Sequence, residues 1–403
     1  MPIMTVKNFF FDRFTWLVIL SFLFFQSILH AYSILSNVAL LCIAICQITC
    51  LDVKKRNLLF AISLWLIILF VYSLFMGNEL SLAIRFSMIV FFILFSYLWK
   101  IDYHFYLRIL FICSFLLVIS LMALELYMFT LSNSEYLALR NGLFIANDMG
   151  DVFWYEVYYK LELRGTPLLV FVYMLSYSSD VFPRRHLLFF RLFYIVGVIF
   201  AGNFAYQMAL VIFHVVFYIC SSIDKPSMLV RKIIWMFFLS LIIGGILYSY
   251  IESEMKAKSD ISNAIRYDQA RVLFEDMSDN PISFLLGSGL GHTVEQRTRF
   301  RDYRGDTYFE LQTLYIFNQL GLFNFTLFVF VNIIFAISFI RIPKLLLVYG
   351  VYVVYAFFNP YIWDTNQIVV ITSLLCAKNQ IMNNLLNEKR NNNMHLSTLE
   401  PVS

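Results

Sequence analysis

The stretch that decides the fold is NLLFAISLWLIILFVYSLFM, residues 57–76, which runs for twenty positions without a charged residue. About 20 consecutive apolar residues are what an α-helix needs to cross the hydrocarbon core of a bilayer. Basic residues precede the stretch in DVKKR (52–56). The turn MGNEL (76–80), whose one charged residue is Glu79, follows it. The whole chain of 403 residues repeats this pattern, with 61% hydrophobic residues, 14% charged residues and a mean hydropathy of +0.74. This composition excludes a soluble domain, whose surface needs more polar residues.

Apolar runs of similar length recur along the chain and predict an all-α polytopic integral membrane protein, a single membrane domain over 1–403 with about 12 transmembrane helices. A β-barrel would instead show alternating segments of roughly 10 residues. Residues 187–222 are too long for one span, and AGNFAYQ is their polar break, which favours two helices joined by a tight turn. The predicted spans are 14–30, 34–51, 57–76, 80–98, 105–130, 166–182, 187–202, 205–222, 232–251, 322–340, 345–359 and 362–378.

Lysine and arginine in the short loops predict the orientation, because cytoplasmic loops carry an excess of both. With the N-terminus in the cytoplasm, the basic segments all fall inside: Lys7 and Arg13, DVKKR, Lys100, PRRH, DKPSMLVRK, RIPK and NEKR. The short turns LHAYS, MGNEL, GNFAYQ and NPYIWDTNQ, which fall outside, carry neither lysine nor arginine. We therefore expect both termini in the cytoplasm.

Neither a disulfide framework nor a metal site is expected. The six cysteines lie in or at the ends of apolar segments, where small polarisable packing residues are common. The six histidines form no metal-ligand spacing with cysteines or carboxylates. We expect no cofactor.

Two extracytoplasmic loops are longer than the others, a first loop at 131–165 and a large loop at 252–321. The large loop begins with acidic residues and then carries QRTRFRDYRGD (296–306), which places four arginines within eight positions. From Tyr308 onward, apolar residues at helical spacing predict an amphipathic helix that ends near Gly321.

Clustered arginines outside the membrane indicate a phosphate ligand, because the planar guanidinium forms bidentate contacts with phosphate oxygens. The alternatives left open are a polyprenyl pyrophosphate and the headgroups of anionic lipids. Glu310, at the start of the predicted amphipathic helix, is a candidate general base or orienting residue, and Glu125 is a second carboxylate near this side. Tyrosines and Trp154 in the first loop could stack on sugars or anchor the chain at the interface. The candidate phosphate-binding residues are Arg85, Arg164, Arg266, Arg271, Arg297, Arg299, Arg301 and Arg304.

Three short motifs resemble the O-antigen polymerase and ligase superfamily. In the large loop, Arg271 stands sixteen residues before Gly287 in PISFLLGSGLG, and ELQTLYIFNQLGLF then leads into the next span through Gly321. LRGTPLL (163–169) resembles the Arg-Gly-x-Pro start of a span in that family, and FNPYIWD (358–364) resembles its Asn-Pro turn.

The resemblance implies polymerisation of undecaprenyl-pyrophosphate-linked repeat units at the periplasmic face of the bacterial inner membrane. The expected enzyme is a metal-independent glycosyltransferase that moves the growing glycan onto an incoming lipid-linked unit, with Glu310 and Arg271 as catalytic residues. The implied partners are the lipid-linked oligosaccharide, membrane lipid and a separate chain-length regulator protein, with no nucleic acid.

Two positions depart from the family pattern. The ligase branch carries a histidine eleven residues before the glycine matched by Gly321, where this chain has Glu310, and this favours the Wzy-type polymerase branch. Asn203 and Phe204 stand where a Ser-Arg pair is common, so one phosphate contact is absent or comes from another arginine. The alternative functions are an O-antigen ligase, a lipid-linked oligosaccharide flippase, another polyprenyl-phosphate glycosyltransferase and a non-catalytic envelope protein.

Overall fold

The fold is mostly helical, with one two-stranded antiparallel hairpin. The computed structural model describes residues 6–28, 33–147, 149–155, 158–178, 184–220, 228, 231, 264–278, 280–298, 302–307, 309–357, 359 and 361–397. The predicted span 232–251 and residues 252–263 at the start of the large loop lie outside the described residues.

The helices of the first half are α1 (Val6–Ser27), α2 (Ser33–Thr49), α3 (Val53–Phe75), α4 (Leu80–Ser96), α5 (Tyr103–Met128), α6 (Asn133–Leu139, continued by a π-helical turn Arg140–Ile145), α7 (Pro167–Leu175), α8 (Arg184–Ala201) and α9 (Phe204–Cys220). Those of the second half are α10 (264–278), α11 (Pro281–Leu286), α12 (Gln312–Ile337), α13 (Pro343–Phe357) and α14 (Thr365–Ser397).

Within the part of the chain that the structure describes, three helices are long and apolar enough to cross a membrane, namely α3, α5 and α12. Shorter apolar helices accompany them at Phe14–Ser27, Ile34–Thr49, Leu80–Ser96, Phe204–Cys220 and Pro343–Phe357. The break predicted within 187–222 is a turn between α8 and α9, where Gly202 has a φ of +60°.

Helix α7 lies at the centre of the bundle. All nine of its residues are buried, and it contacts α5, α8, α9, α13 and α14. Pro167 begins it, where the missing N–H of proline removes no helical hydrogen bond. Within the predicted span 166–182 the helix ends at Leu175, turn residues follow at 176–178, and 179–182 lie outside the described residues.

The first long loop contains regular structure that the all-α prediction did not include. Strand β1 (Gly150–Tyr155) pairs antiparallel with β2 (Tyr158–Leu163). Val152 and Leu161, which lie opposite each other on the two strands, are fully buried against the bundle. The buried carboxylate of Glu125, at the end of α5, accepts the N–H of Tyr159 at 2.7 Å. Glu125 therefore fixes the hairpin on α5.

Turns predicted on the same side of the membrane contact one another. On the predicted outer side, Gln26 donates to Asn366 at 3.2 Å, and Asn203 donates to Glu162 at 3.0 Å. On the predicted inner side, Lys100 lies 3.7 Å from Asp52. The predicted outer turns and the first loop thus meet at one end of the bundle, which is where the candidate site lies.

Candidate functional site

Helix α12 is broken at Gly321, and the break organises the large loop. Gly321 has φ +66° and ψ 177° within an otherwise continuous helix. The carbonyls of Asn318 and Gln319, just before the break, accept the N–H groups of Ser288 and Gly289 at 2.9 and 3.1 Å. The glycine-rich segment therefore supplies the hydrogen bonds that the interrupted helix lacks.

The three loop glycines allow close backbone contacts. A Cβ on Gly287 would lie 2.1 Å from the carbonyl oxygen of Gln319, and one on Gly291 would lie 2.6 Å from the N–H nitrogen of Ala83. Every amide from Gly287 to His292 donates to a protein acceptor. The segment is thus a packing element, because no amide remains to cradle a phosphate as a Gly-rich nest does.

His292 lies at the centre of a polar cluster that joins this loop to α10, α12 and the turn between α3 and α4; we call it the His292 cluster. Its Nε2 lies 3.0 Å from Asp276, and its Nδ1 lies 3.3 Å from Asn78. Asn318 donates to Asp276 at 2.8 Å, and the Tyr315 hydroxyl donates to the carbonyl of His292 at 2.7 Å. Burial raises the pKa of Asp276, but the His292 and Asn318 side chains outweigh it and hold that pKa below its usual range.

We expect Asp276→Asn to lower stability in a pH-dependent way. Because the folded-state pKa of Asp276 lies below 3.8, its contribution is present at neutral pH and is lost as pH falls below that value. The variant should be about 1–3 kcal/mol less stable than wild type at pH 7, and the difference should shrink at pH 3. Melting temperatures in detergent at both pH values test this.

Glu275→Gln on the same helix is the matched control. Glu275 is exposed and forms a surface ion pair with Arg271, so its loss should change stability by about 0.5 kcal/mol or less. An Asp276→Asn difference that is the same at both pH values would contradict the assignment.

The predicted arginines fall into different surroundings. Arg85 on α4 is exposed, lies close to Tyr315, and makes no ion pair with the acidic side chains that the structure describes. Arg266 pairs with Glu310 at 3.2 Å, so the predicted base and one predicted phosphate ligand bind each other. Arg271 faces Glu275 at 3.4 Å and is exposed.

The arginine cluster itself is only partly described, because Arg299 and Arg301 lie outside the described residues. Arg304 forms a bidentate pair with Asp302 at 2.9 and 2.6 Å, and Arg297 lies opposite Asp302 in a β-bridge. The Arg304 guanidinium and backbone lower the pKa of Asp302 to about 2. An acidic residue within the cluster thus offsets part of its charge, which the prediction from the arginines alone did not consider.

Glu310 precedes the helix that it was expected to open. The described helix begins at Gln312, and the loop before it is held by Gln269 of α10, whose side chain accepts the N–H of Leu311 at 3.2 Å. The Glu310 carboxylate is partly exposed.

Arg164 lies at a second polar cluster, built from the turn before α7 and the turn before α14. Asp364 is close enough to Arg164 for the guanidinium to lower the carboxyl pKa. The carbonyl of Arg164 accepts the Asn366 side chain at 3.3 Å, and the same side chain donates to Asp364 at 2.9 Å. We call Arg164, Asp364 and Asn366 the Asp364 cluster. It joins the LRGTP and NPYIWD motifs, about 200 positions apart in sequence.

Asn203 and Phe204 stand where the family commonly has a Ser-Arg pair. In this structure the side chain of Lys160 lies beside Asn203. A Cβ on Gly202 would lie 2.6 Å from the side chain of Lys160, so the absent side chain leaves room for the lysine stem. Lys160 pairs with Glu162 at 2.7 Å, and Glu162 also accepts from Asn203.

Sequence reasoning did not select Lys160, Asp276, His292 or Asp364. The alternation of β-branched and aromatic residues in 150–163 could have indicated the hairpin and hence the position of Lys160. Asp364 ends the FNPYIWD stretch, which the sequence analysis singled out for its Asn-Pro turn and not for its carboxylate. The described residues contain no group of three or more metal-ligating side chains.

No protein-family model matches this sequence, and no curated protein or solved structure is similar to it.

Proposed function

We propose that this chain is a Wzy-type polymerase that extends undecaprenyl-pyrophosphate-linked oligosaccharides at the periplasmic face of the bacterial inner membrane. It acts as a metal-independent glycosyltransferase, spans the membrane about 12 times and keeps both termini in the cytoplasm. The growing glycan moves from its pyrophosphate carrier to a sugar hydroxyl of an incoming lipid-linked unit.

The apolar surface of the helices supports the membrane location. Along α3, large side chains such as Phe60, Ile67 and Phe75 are exposed, the last to 85%. Contiguous apolar surface of this kind is unfavourable in water and matches a lipid environment. The shorter apolar helices support further spans beyond α3, α5 and α12.

The observation that carries the function is that separate segments each place a cation on the predicted outer side of the bundle. Arg85 of α4 lies near Tyr315, Lys160 pairs with Glu162 in the hairpin, and Arg164 at the hairpin exit lies near Asp364. A pyrophosphate leaving group gains negative charge in the transition state, and preorganised cations stabilise that charge without a metal. Carboxylates beside them can accept the proton of the attacking hydroxyl.

Two features favour the polymerase over the ligase. Glu310 replaces the histidine of the ligase branch and pairs with Arg266. His292 does not take the place of that histidine, because both of its ring nitrogens contact side chains of the His292 cluster.

Lys160 beside Asn203 can supply the phosphate contact that the Asn203–Phe204 pair lacks.

A gel of surface glycolipids from a strain that lacks this gene tests the function. We expect the ladder of long glycans to collapse to core plus one repeat unit, because the unit is still made, flipped and ligated. Return of the ladder with the intact gene is the control.

Other gel patterns identify the rivals. Loss of every repeat unit from the core would indicate a ligase or flippase, and accumulation of long lipid-linked polymer would then single out a ligase. An unchanged ladder would reject the function.

A further inference from the structure

Asp364 lies in the turn between α13 and α14 and is held in one orientation. One carboxylate oxygen accepts the N–H of Asn366 at 2.7 Å, and the other accepts the Asn366 side chain at 2.9 Å. Each oxygen keeps capacity for another hydrogen bond. The carboxylate is therefore positioned by the protein and still able to take a proton.

Elements from three distant parts of the chain enclose this carboxylate. Gln26 at the end of α1 donates to the Asn366 side-chain oxygen at 3.2 Å and accepts from Thr365 at 2.7 Å. Gly165, next to Arg164, packs so closely that a Cβ there would lie 2.2 Å from the carbonyl oxygen of Ser27. The turn before α7 is thus fixed against α1, and this fixes Arg164 beside Asp364.

Asp364 lies deep in the protein yet remains partly accessible. Its surroundings raise its pKa to about 7, because the loss of hydration outweighs the Asn366 hydrogen bonds and the nearby Arg164 charge. The charged and titratable groups that face it are Arg164 from the hairpin exit and Tyr352 and Tyr355 from α13. By contrast, Glu310 is ion-paired with Arg266 near the surface.

We propose that Asp364 is the general base of the transfer reaction, a role that rests on the proposed polymerase function. The acceptor hydroxyl oxygen forms a bond to the anomeric carbon of the donor glycan. The bond from that carbon to the pyrophosphate oxygen breaks, and the pyrophosphate leaves with the bonding electrons. The proton of the hydroxyl passes to the Asp364 carboxylate, whose ionised form Arg164 stabilises.

A purely structural role for Asp364 would be to cap α14, because it accepts the N–H of the second residue of that helix. Asparagine caps helices about as well as aspartate and has nearly the same shape. Asp364→Asn therefore retains the cap and removes the proton acceptor, together with the hydrogen bond from the Asn366 side chain, which an amide NH2 group cannot accept. Asp102→Asn is a matched control, since Asp102 caps α5 by accepting from Phe105 at 3.0 Å and lies on the predicted inner side.

The test is extension of undecaprenyl-pyrophosphate-linked repeat units by the purified full-length protein. We expect Asp364→Asn to slow turnover by about 10²–10⁴-fold, with a melting temperature lowered by no more than the loss of one hydrogen bond causes, and Asp102→Asn to match wild type. Wild-type turnover should rise with pH around 7, and the residual rate of Asp364→Asn should lack that rise.

Near-wild-type turnover in Asp364→Asn overturns the role of Asp364 alone. A wild-type protein that extends nothing overturns the polymerase function and the role together. If Asp364→Asn does not fold, the wild-type protein is labelled with a hydrophobic carbodiimide across a range of pH. Peptide mass spectrometry then measures how much Asp364 has reacted at each pH. Labelling of Asp364 with a midpoint near 7 supports the proposal, and a midpoint near the ordinary value of about 3.9 overturns it.

Discussion

Gly321→Ala is expected to give a protein that is strongly destabilised or fails to fold. A Cβ at Gly321 would lie 2.1 Å from the amide nitrogen of Gly287, and the φ of +66° is unfavourable for alanine. Strain at such a position is about 1–3 kcal/mol, and the backbone clash adds to it, so we expect a loss of at least about 3 kcal/mol. Thermal unfolding in detergent, followed by size-exclusion chromatography, measures the effect.

Gly350→Ala is the control for this prediction. Gly350 lies within α13, and nothing lies within 4 Å of the position a Cβ would take. Alanine is favoured over glycine within a helix by about 1 kcal/mol, so stability should stay equal or rise. Equal melting temperatures for the two variants would contradict the close crossing of Gly287 and Gly321.

Arg164→Gln is expected to reduce glycan extension at pH 7 by about 10²-fold or more. The substitution removes the cation that lowers the pKa of Asp364, so this pKa should rise above 7 and leave the carboxyl protonated at neutral pH. Raising the pH to about 9 should restore part of the activity, an effect that simple loss of packing would not produce. Turnover of the purified protein across this pH range is the measurement.

Two further variants separate the causes. Arg164→Lys keeps the charge and should retain more activity than Arg164→Gln, although it loses the planar fork. Arg341→Gln, an exposed change on the predicted inner side, should leave extension unaltered. An Arg164→Gln defect that is equally deep at every pH would indicate that Arg164 acts on the pyrophosphate and not through Asp364.

The number of charges in one loop and the arrangement of the fold point to different arginines. Arg304 is offset by Asp302 two residues away, and exposed pairs of this kind contribute little to stability. Arg164 stands alone in its stretch of sequence, yet the fold places it beside a carboxyl that is 200 positions away. The isolated arginine therefore became the better candidate.

The sequence by itself determined the helical class, the apolar surface suited to a membrane, and the break between α8 and α9. These features depend on the length of each apolar stretch and on glycine and polar residues within it. Both can be read from residues that are neighbours in the sequence. Only the tertiary structure decided which polar side chains meet: Glu310 with Arg266, His292 with Asp276, and Arg164 with Asp364. Such pairs form because helix packing brings distant turns to one end of the bundle, and no local pattern in the chain records that contact.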